Sequence, residues 1–141
     1  MMDRYRFLPH TADGKFQAFG ATLEEAFANA ALATASLVWD WRAVEPRVRI
    51  PVRVRGIDRE QLLVKFLTEV VYLFETRRFL LARVEGTAVR AVPGGWELET
   101  VFAGDTLGEA HALHGDVKAV TYHELKIEEC GGVTVQVVVD K

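Results

Sequence analysis

Residues 117–141, VKAVTYHELKIEECGGVTVQVVVDK, constrain the fold more than any other stretch, because two extended runs meet there at a pair of glycines. The first run alternates Val117, Ala119, Thr121, His123, Leu125 and Ile127 against Lys118, Val120, Tyr122, Glu124, Lys126 and Glu128, the period-two pattern of a strand buried on one face. The second is rich in valine. A slip of one residue in a hairpin moves every side chain to the opposite face, so the register can be tested on the sequence. A two-residue Gly131-Gly132 turn sets Leu125 across from Val138 and Ile127 across from Gln136, which mixes core with surface. A three-residue loop of Cys130, Gly131 and Gly132, with glycine for the left-handed position, pairs Leu125 with Val137 and Ile127 with Val135. That register sets Asp140 opposite Tyr122, on the face that carries Lys118, and turns His123 inward as a core residue. A carboxylate at a strand mouth beside a tyrosine and a lysine suits a binding site, and equally a solvated strand end.

Composition narrows the function. With 141 residues, 50% of them apolar, the chain fits one compact domain, residues 1–141, able to bury a core. A net charge of −3 argues against a protein that grips RNA unaided, since such binding needs a dense lysine and arginine field. The single cysteine leaves no internal disulfide framework, and no CxxC or Cys/His cluster offers a zinc site. The first ten residues lack the apolar core of a signal peptide and no apolar run reaches membrane-spanning length, so the expectation is a soluble cytoplasmic protein with no membrane partner.

Along the chain, residues 4–8 and 15–19 read as short extended runs around HTAD and Gly14. His10, Thr11 and Asp13 have a plain reading as turn residues that bond the backbone. Thr22 with Glu25 forms a capping box ahead of an alanine-rich helix, and Asp58 with Gln61 caps a second helix whose stripe is Leu62, Leu63, Phe66, Leu67, Val70, Leu73 and Phe74. Trp39 and Trp41 cover the end of the first helix. Between the helices Val48, Ile50, Val52 and Val54 alternate with Arg49, Pro51, Arg53 and Arg55, and the proline favours an edge strand. The arginine row suits an acidic partner or an RNA backbone, although charges on an edge also simply block aggregation. A long extended segment over 79–92, a Pro93-Gly94-Gly95 turn and a return strand make a meander. The following loop holds His111 and His114, a His-x-x-His pair with no further ligands nearby in sequence. The order of elements predicts an α+β two-layer sandwich, a mostly antiparallel sheet with two helices packed on one face. No nucleophile elbow, P-loop, zinc-protease or dinucleotide fingerprint is present.

Four strings occur together in this order: HTAD at 10–13, LLVKFLTEVVYLFE at 62–75, VKAVTYHEL at 117–125 and VVVD at 137–140. In combination they make the chain resemble the archease family over nearly its whole length. The resemblance implies a protein that is not itself an enzyme. It implies an activator of the tRNA-splicing RNA ligase that joins 2′,3′-cyclic phosphate or 3′-phosphate ends to 5′-hydroxyl ends, promoting guanylylation and multiple turnover and meeting RNA only indirectly. It further implies a divalent cation, taken as calcium, on the aspartate of HTAD, the late aspartate and a main-chain oxygen of the next residue: Asp13, Asp140 and Lys141 here. The lysine of VKAVT, functional in the family, corresponds to Lys118. Hard cations prefer oxygen, and calcium takes roughly six to eight oxygen ligands, so water or a partner would supply the rest. One departure is Lys141, where the family usually has an aliphatic residue. Two other functions fit less of the sequence. One is a metal-dependent phosphoester hydrolase, with Asp13 and Asp140 on the ion and Lys118 on a phosphoryl oxygen. The other is a chaperone-like RNA- or protein-binding module using Arg49, Arg53 and Arg55.

Overall fold

The computed structural model describes residues 3–9 and 14–141. Within them lie seven strands, two α-helices and one turn of 3-10 helix, in the order β1 (Tyr5–Leu8), β2 (Gly14–Gly20), α1 (Leu23–Ser36), the 3-10 turn (Trp41–Ala43), β3 (Val48–Gly56), α2 (Arg59–Arg77), β4 (Phe79–Val92), β5 (Gly95–Thr106), β6 (Ala119–Glu129) and β7 (Val133–Asp140). The α+β class is as expected. The strands, however, divide into two antiparallel sheets, one of order β1-β2-β7-β6 and one of order β3-β5-β4.

Both helices begin where the capping signals place them. Thr22 Oγ1 accepts the Glu25 N–H at 3.2 Å, and Asp58 Oδ1 accepts that of Gln61 at 2.7 Å while Gln61 Oε1 takes the Ile57 N–H at 2.8 Å. These bonds satisfy amides that the helices cannot. α2 stops at Arg78, in the left-handed region at φ 52°, whose N–H returns to the carbonyls of Leu73 and Phe74. α1 packs on β2 and β4, and α2 on β6 and β3, so each helix touches both sheets. The alanines of α1 are the reason it lies so close: Ala26, Ala30, Ala31, Ala33 and Ala35 are completely buried. The core between the layers holds Phe16, Phe27, Phe66 and Phe102, with Phe27 stacked on Phe66 at 6.3 Å. Trp39 is buried, donates Nε1–H to the Leu81 carbonyl at 2.9 Å and stacks on Phe74, while Trp41 lies half-buried in the 3-10 turn.

β3 is an edge strand, as Pro51 suggested. Its arginines do not present bare charge. Arg49 Nε meets Glu85 at 2.9 Å and Arg55 Nε meets Glu97 at 2.8 Å, while Arg53 pairs with Glu99 directly across the β3/β5 ladder. Arg90 of β4 pairs with Glu97 and lies 3.2 Å from Glu99. Glu97 is only 3% exposed at its side chain, beneath these guanidiniums. The hydrogen bond from Arg55 holds its carboxyl below the ordinary glutamate range, with Arg90 adding to it. A neutralised row gives little grip on RNA.

Candidate functional site on the β6/β7 edge

The hairpin loop is the three-residue one. Glu129 pairs with Val133, Ile127 with Val135, and Gly131 takes the left-handed conformation at φ 64°. Beyond Lys126 the expected register fails. The ladder resumes with Thr121 opposite Val138, so residues 122–125 face the single Val137 and β6 carries three extra residues. Asp140 is therefore opposite Ala119, not Tyr122. The physical reason lies in the apolar positions. Val120, Leu125 and Ile127 all pack against the core, and Val120 and Leu125 are an odd number of residues apart, which strict alternation forbids and a bulge permits. His123, expected inside, sits on this bulge with its side chain 67% exposed and Nε2 3.9 Å from Glu124.

The bulge is braced from the neighbouring strands. Glu124 adopts φ 54°, a conformation that costs a non-glycine residue roughly 1–2 kcal/mol. Its carbonyl accepts Gln136 Nε2 at 2.9 Å and its carboxylate meets Lys15 Nζ at 3.2 Å. Gln136 is nearly buried, and its Oε1 takes Gln17 Nε2 at 3.1 Å; Gln17 Oε1 in turn takes Arg6 Nη2 at 2.9 Å. One polar chain thus crosses β1, β2, β7 and β6. Thr121 Oγ1 donates to the Val138 carbonyl at 2.8 Å, fastening β6 again beyond the bulge.

The new register brings two of the expected site residues together. The Lys118 N–H donates to the Asp140 carbonyl at 2.8 Å. The link is through the backbone, and the two side chains form no ion pair among the described residues. Lys118, Asp140 and Lys141 are exposed, whereas the core face of β7, Val133, Val135, Val137 and Val139, is buried. Asp13 lies outside the described residues. Its covalent neighbour Gly14 pairs with Val139, the residue before Asp140. A Cβ at Gly14 would come within 2.9 Å of Val139 Cγ2 and 3.1 Å of Leu37 Cδ1, so the start of β2 lies tight against β7 and α1.

The donor set suits a hard cation in kind: an exposed carboxylate at Asp140 that makes no ion pair among the described residues, next to the main-chain oxygen of Lys141. Among the described residues no three His, Cys, Asp or Glu side chains gather at one metal-binding point. His111 and His114 serve the loop. His111 Nδ1 accepts the Gly108 N–H at 2.9 Å, and His114 Nε2 donates to the Ser36 carbonyl at 2.8 Å. The feature of this edge that the sequence did not reveal is the Glu124 bulge, and its one signal was Gln136, a polar residue set among valines. Among the described residues no helix is long and apolar enough to cross a membrane.

The archease protein family matches residues 5–140. The chain is 37% identical to the archease of Methanosarcina mazei, over 97% of this chain and 95% of that one. It is 40% identical to the archease of Pyrobaculum neutrophilum, over 96% and 94%. The solution structure of Methanobacterium thermoautotrophicum protein 1598 has a TM-score of 0.85 at 31% identity, covering 99% of this chain and all of that one.

Proposed function

Because the chain belongs to the archease family, we propose that it acts as a non-enzymatic activator of the tRNA-splicing RNA ligase that joins 3′-phosphate or 2′,3′-cyclic phosphate ends to 5′-hydroxyl ends. The observation that carries the reading furthest is the bond between the Lys118 N–H and the Asp140 carbonyl, which sets a basic and an acidic residue side by side on an exposed edge. The pairing of Gly14 with Val139 supports placing Asp13 next to them. In this reading Asp13, Asp140 and the main-chain oxygen of Lys141 hold a divalent cation, calcium by its preference for oxygen donors. Bound there, the cation supplies positive charge with coordination positions left for a partner's oxygens. Lys118 adds a mobile ammonium for an acidic patch of the ligase or for nucleotide phosphates. The work belongs in the cytoplasm, where tRNA is spliced and joined, and RNA is met through the ligase rather than gripped directly.

The test is a guanylylation and multiple-turnover assay of the cognate ligase, with GTP and divalent cation, with and without this protein. Acceleration is expected, and Asp13→Ala, Asp140→Ala and Lys118→Ala should each reduce it without lowering the melting temperature, since Lys118 and Asp140 lie at element ends and Asp13 directly precedes β2 in sequence. No acceleration by the wild type, or full acceleration by the aspartate variants, overturns the reading.

A further inference from the structure

A concave site, lined by none of Lys118, Asp140 or Lys141, opens between the start of β1, the middle of α1, the 3-10 turn and β4. It is an open cleft of about 450 Å³ whose lining includes Arg4, Asn29, Trp41, Arg42, Arg83 and Glu85. Arg42 stacks on the Trp41 ring, its guanidinium carbon 4.2 Å from the centroid, and Arg4 lies over the same ring at 5.4 Å. The ring is itself fixed, because Trp41 Nε1 donates to the Tyr5 hydroxyl at 3.0 Å. Arg4 Nη1 also donates to Asn29 Oδ1 at 3.4 Å, and Asn29 is anchored by its own bond to the Phe19 carbonyl at 2.7 Å. Stacking leaves the edge of a guanidinium, where its N–H donors are, directed away from the ring plane's contact.

The charge balance of this cleft differs from that of the arginine row on β3. Arg49, Arg53, Arg55 and Arg90 each have a glutamate, whereas Arg4, Arg42 and Arg83 make no ion pair among the described residues. Glu85, the carboxylate in the lining, is engaged by Arg49 at 2.9 Å, and that hydrogen bond holds its pKa below the ordinary range. Asp40 turns its Oδ1 to the backbone N–H of Arg42 at 3.1 Å. Arg4 and Arg42 share one ring with no carboxylate paired to either among the described residues, and Arg83 is offset only by the Glu85 charge that it shares with Arg49, so a bound oxyanion relieves the repulsion among the three guanidiniums.

We propose that this cleft binds a small phosphate monoester, its phosphoryl oxygens gripped by Arg4, Arg42 and Arg83. Guanidinium forks match phosphate geometry, and two of these three are already stacked on Trp41, so little side-chain freedom is lost on binding. The volume lies in the range of small-ligand pockets, roughly 300–1,000 Å³. A polynucleotide fits less well, because the neighbouring arginine row on β3 is neutralised by glutamates and offers no continuing track for successive phosphates.

Two-dimensional NMR of the 15N-labelled full chain tests this with glycerol 3-phosphate, glycerol and a single-stranded oligoribonucleotide as separate titrants. Glycerol 3-phosphate should move the Trp41 indole N–H and arginine Nε–H signals saturably, with Kd at or below about 1 mM, and leave the Trp96 indole unmoved. Glycerol should do nothing, and Arg42→Ala/Arg83→Ala should weaken binding about tenfold or more. Arg83→Gln, which breaks no hydrogen bond or ion pair among the described residues, gives the same readout if the double variant misfolds. The proposal is overturned if the ester causes no saturable shift, if the variants bind as the wild type does, or if only the oligoribonucleotide binds.

Discussion

Gln136 is the residue on which the geometry of the β6/β7 edge turns. Its amide holds the Glu124 carbonyl with one end and the Gln17 amide with the other, at 2.9 and 3.1 Å, in a nearly buried position. Gln136→Leu keeps the approximate volume and removes both bonds. Each is worth about 0.5–1.5 kcal/mol net, so the expected loss is about 1–3 kcal/mol. The left-handed conformation of Glu124 then loses its brace, and the three extra residues of β6 are free to redistribute. Urea unfolding should show a lower midpoint with an unchanged slope. Hydrogen exchange should show a second effect: the Lys118 amide, bonded to the Asp140 carbonyl beyond the bulge, exchanges faster. Glu124→Gly in the Gln136→Leu background should recover part of the loss, because glycine takes φ 54° without steric cost. A loss below about 0.5 kcal/mol, with Lys118 exchange unaltered, would refute the bracing argument.

Acid should weaken the fold through the glutamates of the three-stranded sheet. Glu85, Glu97 and Glu99 are held below the ordinary range by hydrogen bonds from Arg49, Arg55 and Arg53 respectively, so the unfolded chain binds more protons as pH falls. Their contribution is complete above about pH 5 and shrinks as pH drops through about 4.3 toward the lower folded values. Glu69, raised by burial, has the opposite sign, its folded form losing stability as pH rises through the same ordinary range. Melting temperature against pH should fall less steeply on the acid side for Glu85→Gln/Glu97→Gln/Glu99→Gln than for wild type, and parallel curves contradict this. Gly104→Ala would set a Cβ 1.9 Å from the Leu80 carbonyl oxygen, so β4 and β5 must part; denaturation should show a loss of about 3 kcal/mol or more. Arg78→Gly relieves the left-handed cap of α2 and should raise stability by up to about 1 kcal/mol, and a loss would show that the stacking of Arg78 on Phe74 outweighs the strain.

What the sequence revealed was local. Capping by Thr22 and Asp58 follows from spacings of three residues, the edge position of β3 from one proline, and the Cys130-Gly131-Gly132 loop from apolar register alone. The errors share a cause, because each depends on which distant strand lies alongside. Alternation cannot register residues 122–125, since glutamate carries no propensity for the left-handed region and the brace comes from Gln136 and Lys15 on other strands. The arginine row on β3 was visible, yet its neutralisation required knowing that Glu97 and Glu99 lie directly across from it. The Trp41 cleft draws on residues from Arg4 to Glu85, and no spacing rule connects them. The nearness of Lys118 to Asp140 was anticipated through a register that sets Asp140 opposite Tyr122, and it arises instead from a backbone bond beside the Ala119–Asp140 pair.

β7 comes after every other strand in sequence, yet in its sheet it lies between β2 and β6. More than a hundred positions separate Gly20 from its ladder partner Val133. As the chain emerges from the ribosome, β2 therefore has β1 on one side and an unfilled place on the other until the final hairpin arrives. Assembly of this sheet must await that hairpin, and until it pairs, the edge of β2 that β7 fills keeps its backbone N–H and C=O groups without their ladder partners.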